Sequence, residues 1–197
     1  GSKGIKQIAQ ASLPEQGRTV IIDRPGSQQS LILAAHLAPP TGIDNNIAIE
    51  TMNQTLGGAF TARVNMNLRE DKGWAYGAYT FLQDARGQRP FMVYAPVQTD
   101  KTGASLVELK KELNSYLGDK PPMPDELERA RLDQVRSLPG QYETSTAVLG
   151  SLLSSSRFNR PYNYPETLVE QYNALTLDDL ENAAAQVVMP GKLTWLI

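Results

Sequence analysis

Residues 56–76 read LGGAFTARVNMNLREDKGWAY. Two adjacent glycines end one amphipathic pattern. Phe60, Val64 and Leu68, at four-residue spacing on one apolar face, predict a short helix over 60–70, and Gly73 predicts a turn into an aromatic strand. Arg69 and Tyr76 lie on either side of that turn, so we expect a guanidinium and a phenol to project from its two sides. A guanidinium can hold a carbonyl or a carboxylate, and a phenol can donate a hydrogen bond to a developing oxyanion.

Both side chains also have an ordinary structural interpretation. An arginine at a helix end commonly binds the last helical carbonyls, and a tyrosine on a strand commonly packs against its neighbours. Arg63, earlier in the same helix, could line a site or brace the helix through a carboxylate. The residues alone leave these alternatives open.

The same segment resembles the C-terminal half of the pitrilysin, insulinase and mitochondrial processing peptidase family of zinc metallopeptidases. There the pattern runs Leu-Gly-Gly-Gly, a helix, then Leu-Arg-Glu-x-x-Gly-x-Ala-Tyr. Residues 131–140 followed by Glu143-Thr144-Ser145 resemble the family's long helix, which breaks before a Glu-Ser/Thr segment. The chain departs from the pattern at Ala59, where a third glycine is common, and at Trp74, which replaces a leucine or isoleucine.

The resemblance implies a division of labour between two halves of a peptidase. Arg69 would grip a backbone carbonyl of a peptide substrate, and Tyr76 would help to stabilise the tetrahedral oxyanion. Zinc, its water and a general-base glutamate would come from a separate zinc-bearing N-terminal half or subunit, where the family has an H-x-x-E-H motif. This sequence lacks that motif. The resemblance therefore implies the C-terminal domain of a zinc metalloendopeptidase, inactive alone.

Two other functions remain open at this stage. The chain could be a non-catalytic assembly subunit of the same fold, like the family's core subunits in respiratory complexes, or an unrelated α+β binding module. As half of a chamber, the isolated domain would leave a face for its partner exposed, and it could form a homodimer through that face.

The amino-acid composition excludes several classes of function. The 197 residues suit a single domain over 1–197, and the net charge of −2 gives no electrostatic case for nucleic acid. No apolar run approaches the roughly 18 residues that a membrane span needs. Gly1-Ser2 resembles a remnant of an affinity tag. The compartment stays open between bacterial periplasm and cytoplasm, because a chain without cysteine fits either.

Histidine usage excludes several kinds of site. His36 is the only histidine, whereas a catalytic zinc needs about three protein ligands and a serine or cysteine triad needs a histidine base. We therefore expect no cofactor and no metal ligands in this chain, and we interpret His36 as a packed strand residue.

Apolar runs and turn residues predict the remaining elements. Strands over 19–23 and 29–37 are expected to pair through a short loop. Trp74, Tyr76, Ala78 and Thr80 are expected to share one face of a strand. The other predicted elements are helices over 44–56, 102–117 (capped by Asp100 or Thr102), 124–137, 142–155, 166–172 and 176–188 (with a capping box at Thr176), and strands over 89–98 and 192–197.

The predicted order is two strands, two helices, two strands, several helices and a final strand. Strands from distant parts of the chain must then share one sheet. We therefore predict an α+β fold with a mixed, largely antiparallel sheet and helices packed mainly on one face. The family resemblance implies the same arrangement, as half of a peptidase chamber.

Overall fold

The computed structural model describes Gly4 and residues 7–197, so the suggested tag remnant at Gly1-Ser2 lies outside the described residues. The described residues form five strands and seven α-helices. The strands are β1 (Thr19–Val20), β2 (Gln29–Ala38), β3 (Tyr79–Leu82), β4 (Arg89–Gln98) and β5 (Thr194–Leu196). The helices are α1 (Asn46–Asn53), α2 (Arg63–Asn65), α3 (Thr102–Leu117), α4 (Pro124–Ser137), α5 (Ser145–Phe158), α6 (Tyr164–Ala174) and α7 (Leu177–Val187).

One five-stranded sheet has the order β1-β5-β2-β4-β3. The long strands β2 and β4 pair antiparallel from Gln29 opposite Gln98 to Ala38 opposite Arg89. β3 on β4 and β5 on β2 are also antiparallel, whereas β1 on β5 is parallel. The predicted α+β fold with a mixed, largely antiparallel sheet is therefore confirmed.

The predicted pairing of the first two strands is wrong. β5, from the end of the chain, lies between β1 and β2 and hydrogen-bonds to both. The backbone N–H of Trp195 donates to Arg18, and that of Ile197 donates to Val20. The short loop at 24–28 suggested a hairpin, but no local signal in the sequence reports a strand inserted from 170 residues away.

The core lies on one face of the sheet. Alternate residues of β2 and β4, such as Ile32, Ala34, Phe91 and Val93, are buried with the apolar faces of α1, α3 and α7. The residues between them face the other side, and there Leu31, Tyr79, Phe81 and Tyr94 remain exposed. Helices thus cover one face mainly, as predicted, and the opposite face is open.

Residues 60–82 differ most from the prediction. The helix begins at Arg63 instead of at 60, and regular strand pairing begins at Tyr79 instead of at 74. The N–H groups of Trp74 and Ala75 both donate to the carbonyl of Leu68, which turns the chain back over the helix end. Residues 74–78 therefore make only an isolated bridge to β4, and the single predicted face from 74 to 80 does not form.

The helical second half follows the predicted order. Thr176 and Asp179 form the predicted capping box at α7, and a 3₁₀ turn at Pro139–Tyr142 breaks the chain between α4 and α5. Neither Asp100 nor Thr102 caps α3, because a 3₁₀ turn precedes it and the Thr102 hydroxyl donates to the Thr99 carbonyl. Within the described ranges, no helix is both long and apolar enough to cross a bilayer.

Candidate functional site

The structure brings Arg69 and Tyr76 into contact. The guanidinium carbon of Arg69 lies 5.3 Å from the centroid of the Tyr76 ring and 4.4 Å from that of Phe60. Two aromatic rings thus lie at distances from the cation that are typical of cation–π contacts. Sequence reasoning predicted the arginine and the tyrosine and missed Phe60, which it assigned to the apolar face of the helix.

This arrangement is open to solvent. Tyr76 is 84% exposed and Phe60 is 54% exposed, whereas the Arg69 side chain is 28% exposed. Among the described residues, the one polar neighbour of the Arg69 guanidinium is Glu70, whose carboxylate lies 3.4 Å from Nε. Arg69 is therefore held mainly by aromatic contacts, and its terminal N–H groups remain available to a ligand.

Close backbone packing fixes the start of the segment. α1 continues into a π-helical turn, Gln54–Gly58, which packs on β3. A Cβ on Gly57 would lie only 2.6 Å from the backbone nitrogen of Thr80, so only glycine fits this joint. Asn53 stabilises the contact between the π-helical turn and β3, because its amide donates to the Thr80 carbonyl and accepts from the Thr80 hydroxyl.

One buried amide ties the two aromatic residues to a common frame. Asn65 is fully buried; its Nδ2 donates to the Phe60 carbonyl at 2.6 Å, and its Oδ1 accepts the Ala78 N–H at 3.1 Å. The two contacts fix the backbone at Phe60 and at Ala78, which is two residues after Tyr76. Asn65 therefore sets the spacing of the rings on either side of Arg69.

The turn between Arg69 and Tyr76 needs a glycine. α2 continues into a second π-helical segment, Met66–Asp71, and Gly73 then adopts φ +66°. Its N–H donates to the Arg69 carbonyl, so a backbone bond closes the helix and leaves the Arg69 side chain uninvolved. π-helical segments are rare and are frequent at functional sites, and two of them flank this surface.

Arg63 has the structural role that the sequence left open. Its Nε lies 2.6 Å from Glu126 Oε1, and its Nη2 lies 2.5 Å from Glu126 Oε2. The same guanidinium donates to the carbonyls of Lys120 and Pro121 and stacks 4.7 Å from the Tyr116 ring centroid. It braces the short helix against α3 and α4, as a carboxylate-bound arginine would.

A groove of about 830 Å³ runs along another face of this helix. Met66 and Glu70 line it from the helix, with Glu112 from α3 and Met123 just before α4. Arg69 does not line it. Sequence reasoning did not identify this groove, because the residues that face the helix come from 40 to 60 positions away.

His36 is a packed strand residue, as interpreted. Its Nδ1 donates to the Leu37 carbonyl at 3.0 Å, and its Nε2 accepts the Met189 N–H at 3.3 Å. These contacts require the neutral ring, and burial lowers the pKa of His36. Within residues 7–197 and Gly4, no cluster of three or more histidine, aspartate or glutamate side chains could hold a metal ion.

Solved structures share this fold at low sequence identity. The chain superposes on the peptidase M16 inactive domain from Pseudomonas fluorescens with a TM-score of 0.87 at 24% identity, over 98% of this chain and 45% of that one. A protease from Helicobacter pylori gives a TM-score of 0.81 at 17% identity, over 92% and 44%. An inactive peptidase domain from Bordetella parapertussis gives 0.73 at 22% identity, over 88% and 93%.

The chain therefore spans less than half the length of the first two proteins. No curated protein matches its sequence. The family model described as the peptidase M16 inactive domain matches residues 3–132, more than half of the chain. That match excludes the unrelated binding module, and with the fold it shows that this chain belongs to the peptidase M16 inactive-domain family.

Proposed function

We propose that this chain is the substrate-positioning half of a zinc metalloendopeptidase. Arg69 binds a backbone carbonyl or carboxylate of the peptide, and Tyr76 donates to the oxyanion that forms when water attacks the scissile carbonyl. Zinc, the attacking water and the general base belong to a separate half, in which zinc lowers the pKa of its water and polarises the carbonyl.

The observation that carries this proposal is the presentation of Arg69. It lies within cation–π distance of the Phe60 and Tyr76 rings, and among the described residues neither terminal nitrogen donates to an acceptor of this chain. A guanidinium in this state is oriented in advance and retains its fork of donors for a carbonyl or carboxylate. The exposed Tyr76 phenol lies beside it, so one ligand can reach both groups.

The partner half would meet this surface from outside. The Tyr76 ring is almost wholly exposed, which suits a donor that acts on a substrate held between two halves. Exposed apolar residues on the open sheet face, including Leu31 and Phe81, could belong to the surface that the partner covers. A homodimer of the isolated domain would use the same surface.

Tyr76→Phe tests the oxyanion role, because it removes only the hydroxyl. In the complete enzyme, meaning this domain with its zinc-bearing half, we expect kcat to fall about 10²–10³-fold, the usual loss for one oxyanion donor. Zinc content should not change. Tyr162→Phe is the matched control, since Tyr162 is also exposed but lies on a loop remote in sequence, and its turnover should equal that of the unmodified enzyme.

Arg69→Ala tests the positioning role. We expect kcat/KM to fall, because the substrate loses a contact that orients it. Arg136→Ala, at an exposed position near the end of α4, is the control. Normal turnover in both Tyr76→Phe and Arg69→Ala would contradict the assigned roles.

A non-catalytic assembly subunit is the second candidate function. It requires the fold and the partner surface, but it does not require the Arg69 N–H groups to be available. Two results together would favour this second function. Association with the partner half is unaffected by Arg69→Ala and Tyr76→Phe, and the unmodified assembly cleaves no peptide.

A further inference from the structure

A second cavity, of about 320 Å³, lies in the helical half of the molecule between α1, α5 and α6. Sites for small ligands commonly have volumes of about 300–1,000 Å³, so this one suits only a small molecule. None of the residues that line it belongs to the Arg69–Tyr76 surface.

The cavity exists because α5 is packed with its small side chains inward. Ala147, Ser151 and Ser154 face the space between the helices. A helix on a protein core normally turns its large apolar residues inward. In α5 four large apolar side chains are exposed instead, and only Phe158 at the end of the helix is buried: Val148, Leu149, Leu152 and Leu153 are the exposed ones. The serine face leaves room that a leucine face would fill.

Two opposite charges line this space. Glu50 enters it from α1 and Arg160 from the loop after α5. Among the described residues, neither side chain forms an ion pair within 4.0 Å. Glu50 Oε1 accepts a hydrogen bond from Asn46 at 2.7 Å, and the Arg160 guanidinium stacks 4.4 Å from the Tyr164 ring centroid.

Among the described residues, no cation lies within 4.0 Å of the Glu50 carboxylate. Burial raises the pKa of the Glu50 carboxyl, and the Asn46 hydrogen bond and the more distant charges of Arg89 and Arg160 offset this only in part. Buried charges are normally paired. Ile47 and Leu168 supply apolar lining, and Tyr142 and Tyr164 also line the cavity. The cavity thus combines one anion, one cation, hydroxyl groups and an apolar surface.

This combination excludes several ligand classes. No set of three acidic or histidine side chains occurs in the described part of the chain, which argues against a metal ion. A phosphate would meet a single cation and be repelled by Glu50. A simple amine or a simple carboxylate would satisfy only one of the two charges.

We propose that this cavity binds a free α-amino acid with an apolar side chain. Its ammonium group contacts Glu50, its carboxylate accepts from the Arg160 guanidinium, and its side chain lies on Ile47 and Leu168. Each charged group of the ligand then meets one charge of the protein, and the small volume admits one amino acid.

Calorimetric titration of the 197-residue chain tests the proposal, with L-leucine and L-phenylalanine as probes at millimolar concentrations. Isocaproate lacks the ammonium of leucine and isoamylamine lacks its carboxylate, so they are the matched probes. We expect one site for at least one amino acid, and binding at least about tenfold weaker for both matched probes, since each loses a charge-assisted contact.

Three variants locate the site. Glu50→Gln keeps the shape and removes the anion, Arg160→Met removes the cation, and Ser151→Leu fills the cavity. Each should weaken binding of the amino acid about tenfold or more. Ser156→Leu is the control because Ser156 is an exposed residue of α5 outside the cavity lining, and it should bind normally.

Several results would overturn the proposal. These are no binding of either amino acid at millimolar concentration, equal binding of isoamylamine or isocaproate, or binding that persists in both Glu50→Gln and Arg160→Met. Circular dichroism of each variant checks its fold. If one variant fails to fold, the other charge variant and the matched probes still decide.

Discussion

Arg63 and Arg69 lie six residues apart on one helical segment and are used in opposite ways. The Arg63 guanidinium binds the Glu126 carboxylate with two nitrogens, donates to two backbone carbonyls and stacks on Tyr116. Arg69 contacts two aromatic rings and has, among the described residues, no acceptor on its terminal nitrogens. Both are held in place, but only Arg69 retains hydrogen-bonding capacity for another molecule.

The difference shows how a structural arginine can be told from a binding one. Burial alone does not separate them, since the side chains are 14% and 28% exposed. What separates them is the partner of each N–H group. A guanidinium whose donors are used by its own chain stabilises the fold, whereas one fixed only through its faces is arranged for a ligand.

The largest expected effect on stability follows from breaking the Arg63 contact. Arg63→Met leaves Glu126 as a mostly buried carboxylate, with only 16% of its side chain exposed. Loss of one partner of such a pair costs about 3–5 kcal/mol, and we expect the lower end because neither partner is wholly buried. Arg69→Met should cost less than about 1 kcal/mol, the value of exposed cation–π contacts. Urea unfolding of the isolated chain measures both, and equal losses would contradict the comparison.

A smaller effect is expected from removing the amide that spaces the aromatic rings. Asn65→Leu leaves the Ala78 N–H and the Phe60 carbonyl without their partner, at about 1–3 kcal/mol. Because those contacts position Phe60 and Tyr76, turnover of the complete enzyme should fall as well. Asn182→Leu, on the exposed face of α7, is the control for both measurements. Unchanged stability would show that Asn65 does not hold the frame.

The smallest effect concerns the pH dependence of stability that His36 causes. Both ring nitrogens of His36 form hydrogen bonds within the chain, so His36, like Arg63, serves the fold. Burial lowers the pKa of His36 below its ordinary 6.5. Below pH 6.5 the unfolded chain therefore binds a proton that the folded chain does not. The stabilisation is complete above pH 6.5 and is lost as the pH falls from 6.5 to the folded-state pKa.

The His36→Gln variant isolates the contribution of His36 to the pH dependence of the free energy of unfolding. Burial raises the pKa of Glu50 and gives an opposite slope between pH 4.5 and the folded-state pKa of Glu50, so the difference between the unmodified chain and the variant is the quantity to measure. It should decrease as the pH falls below 6.5. A difference that stays constant from pH 7 to pH 5 would contradict the neutral, buried His36.

Elements with strong local signals could be predicted from the sequence. Thr176 and Asp179 have the spacing of a capping box, and the strand predicted over 89–98 coincides with β4. The pairing of β1 depends on β5, more than 150 positions later in the sequence. No local pattern carries that information, so the prediction that β1 pairs with the next strand is wrong.

The candidate site likewise contains residues that the sequence predicts and one that it does not. The pair Arg69 and Tyr76 followed from the resemblance and the glycine turn, and the structure places the two side chains together. Phe60 has the same four-residue spacing as Val64 and Leu68, which indicates a position on the apolar face of the helix. Its exposure results from the later start of the helix at Arg63, which depends on Asn65 binding the Phe60 carbonyl. A single buried amide cannot be recognised from sequence periodicity.

Replacement of each arginine by lysine tests most directly whether Arg69 acts on a ligand whereas Arg63 acts on the fold. The measurements are kcat/KM of the complete enzyme with Arg69→Lys and with Arg63→Lys, and the unfolding free energy of both variants. Lysine keeps the charge and loses the planar fork and the stacking. We expect Arg69→Lys to lower kcat/KM about tenfold or more while stability changes by less than about 1 kcal/mol. We expect the reverse for Arg63→Lys, and full activity in Arg69→Lys would contradict the assigned roles.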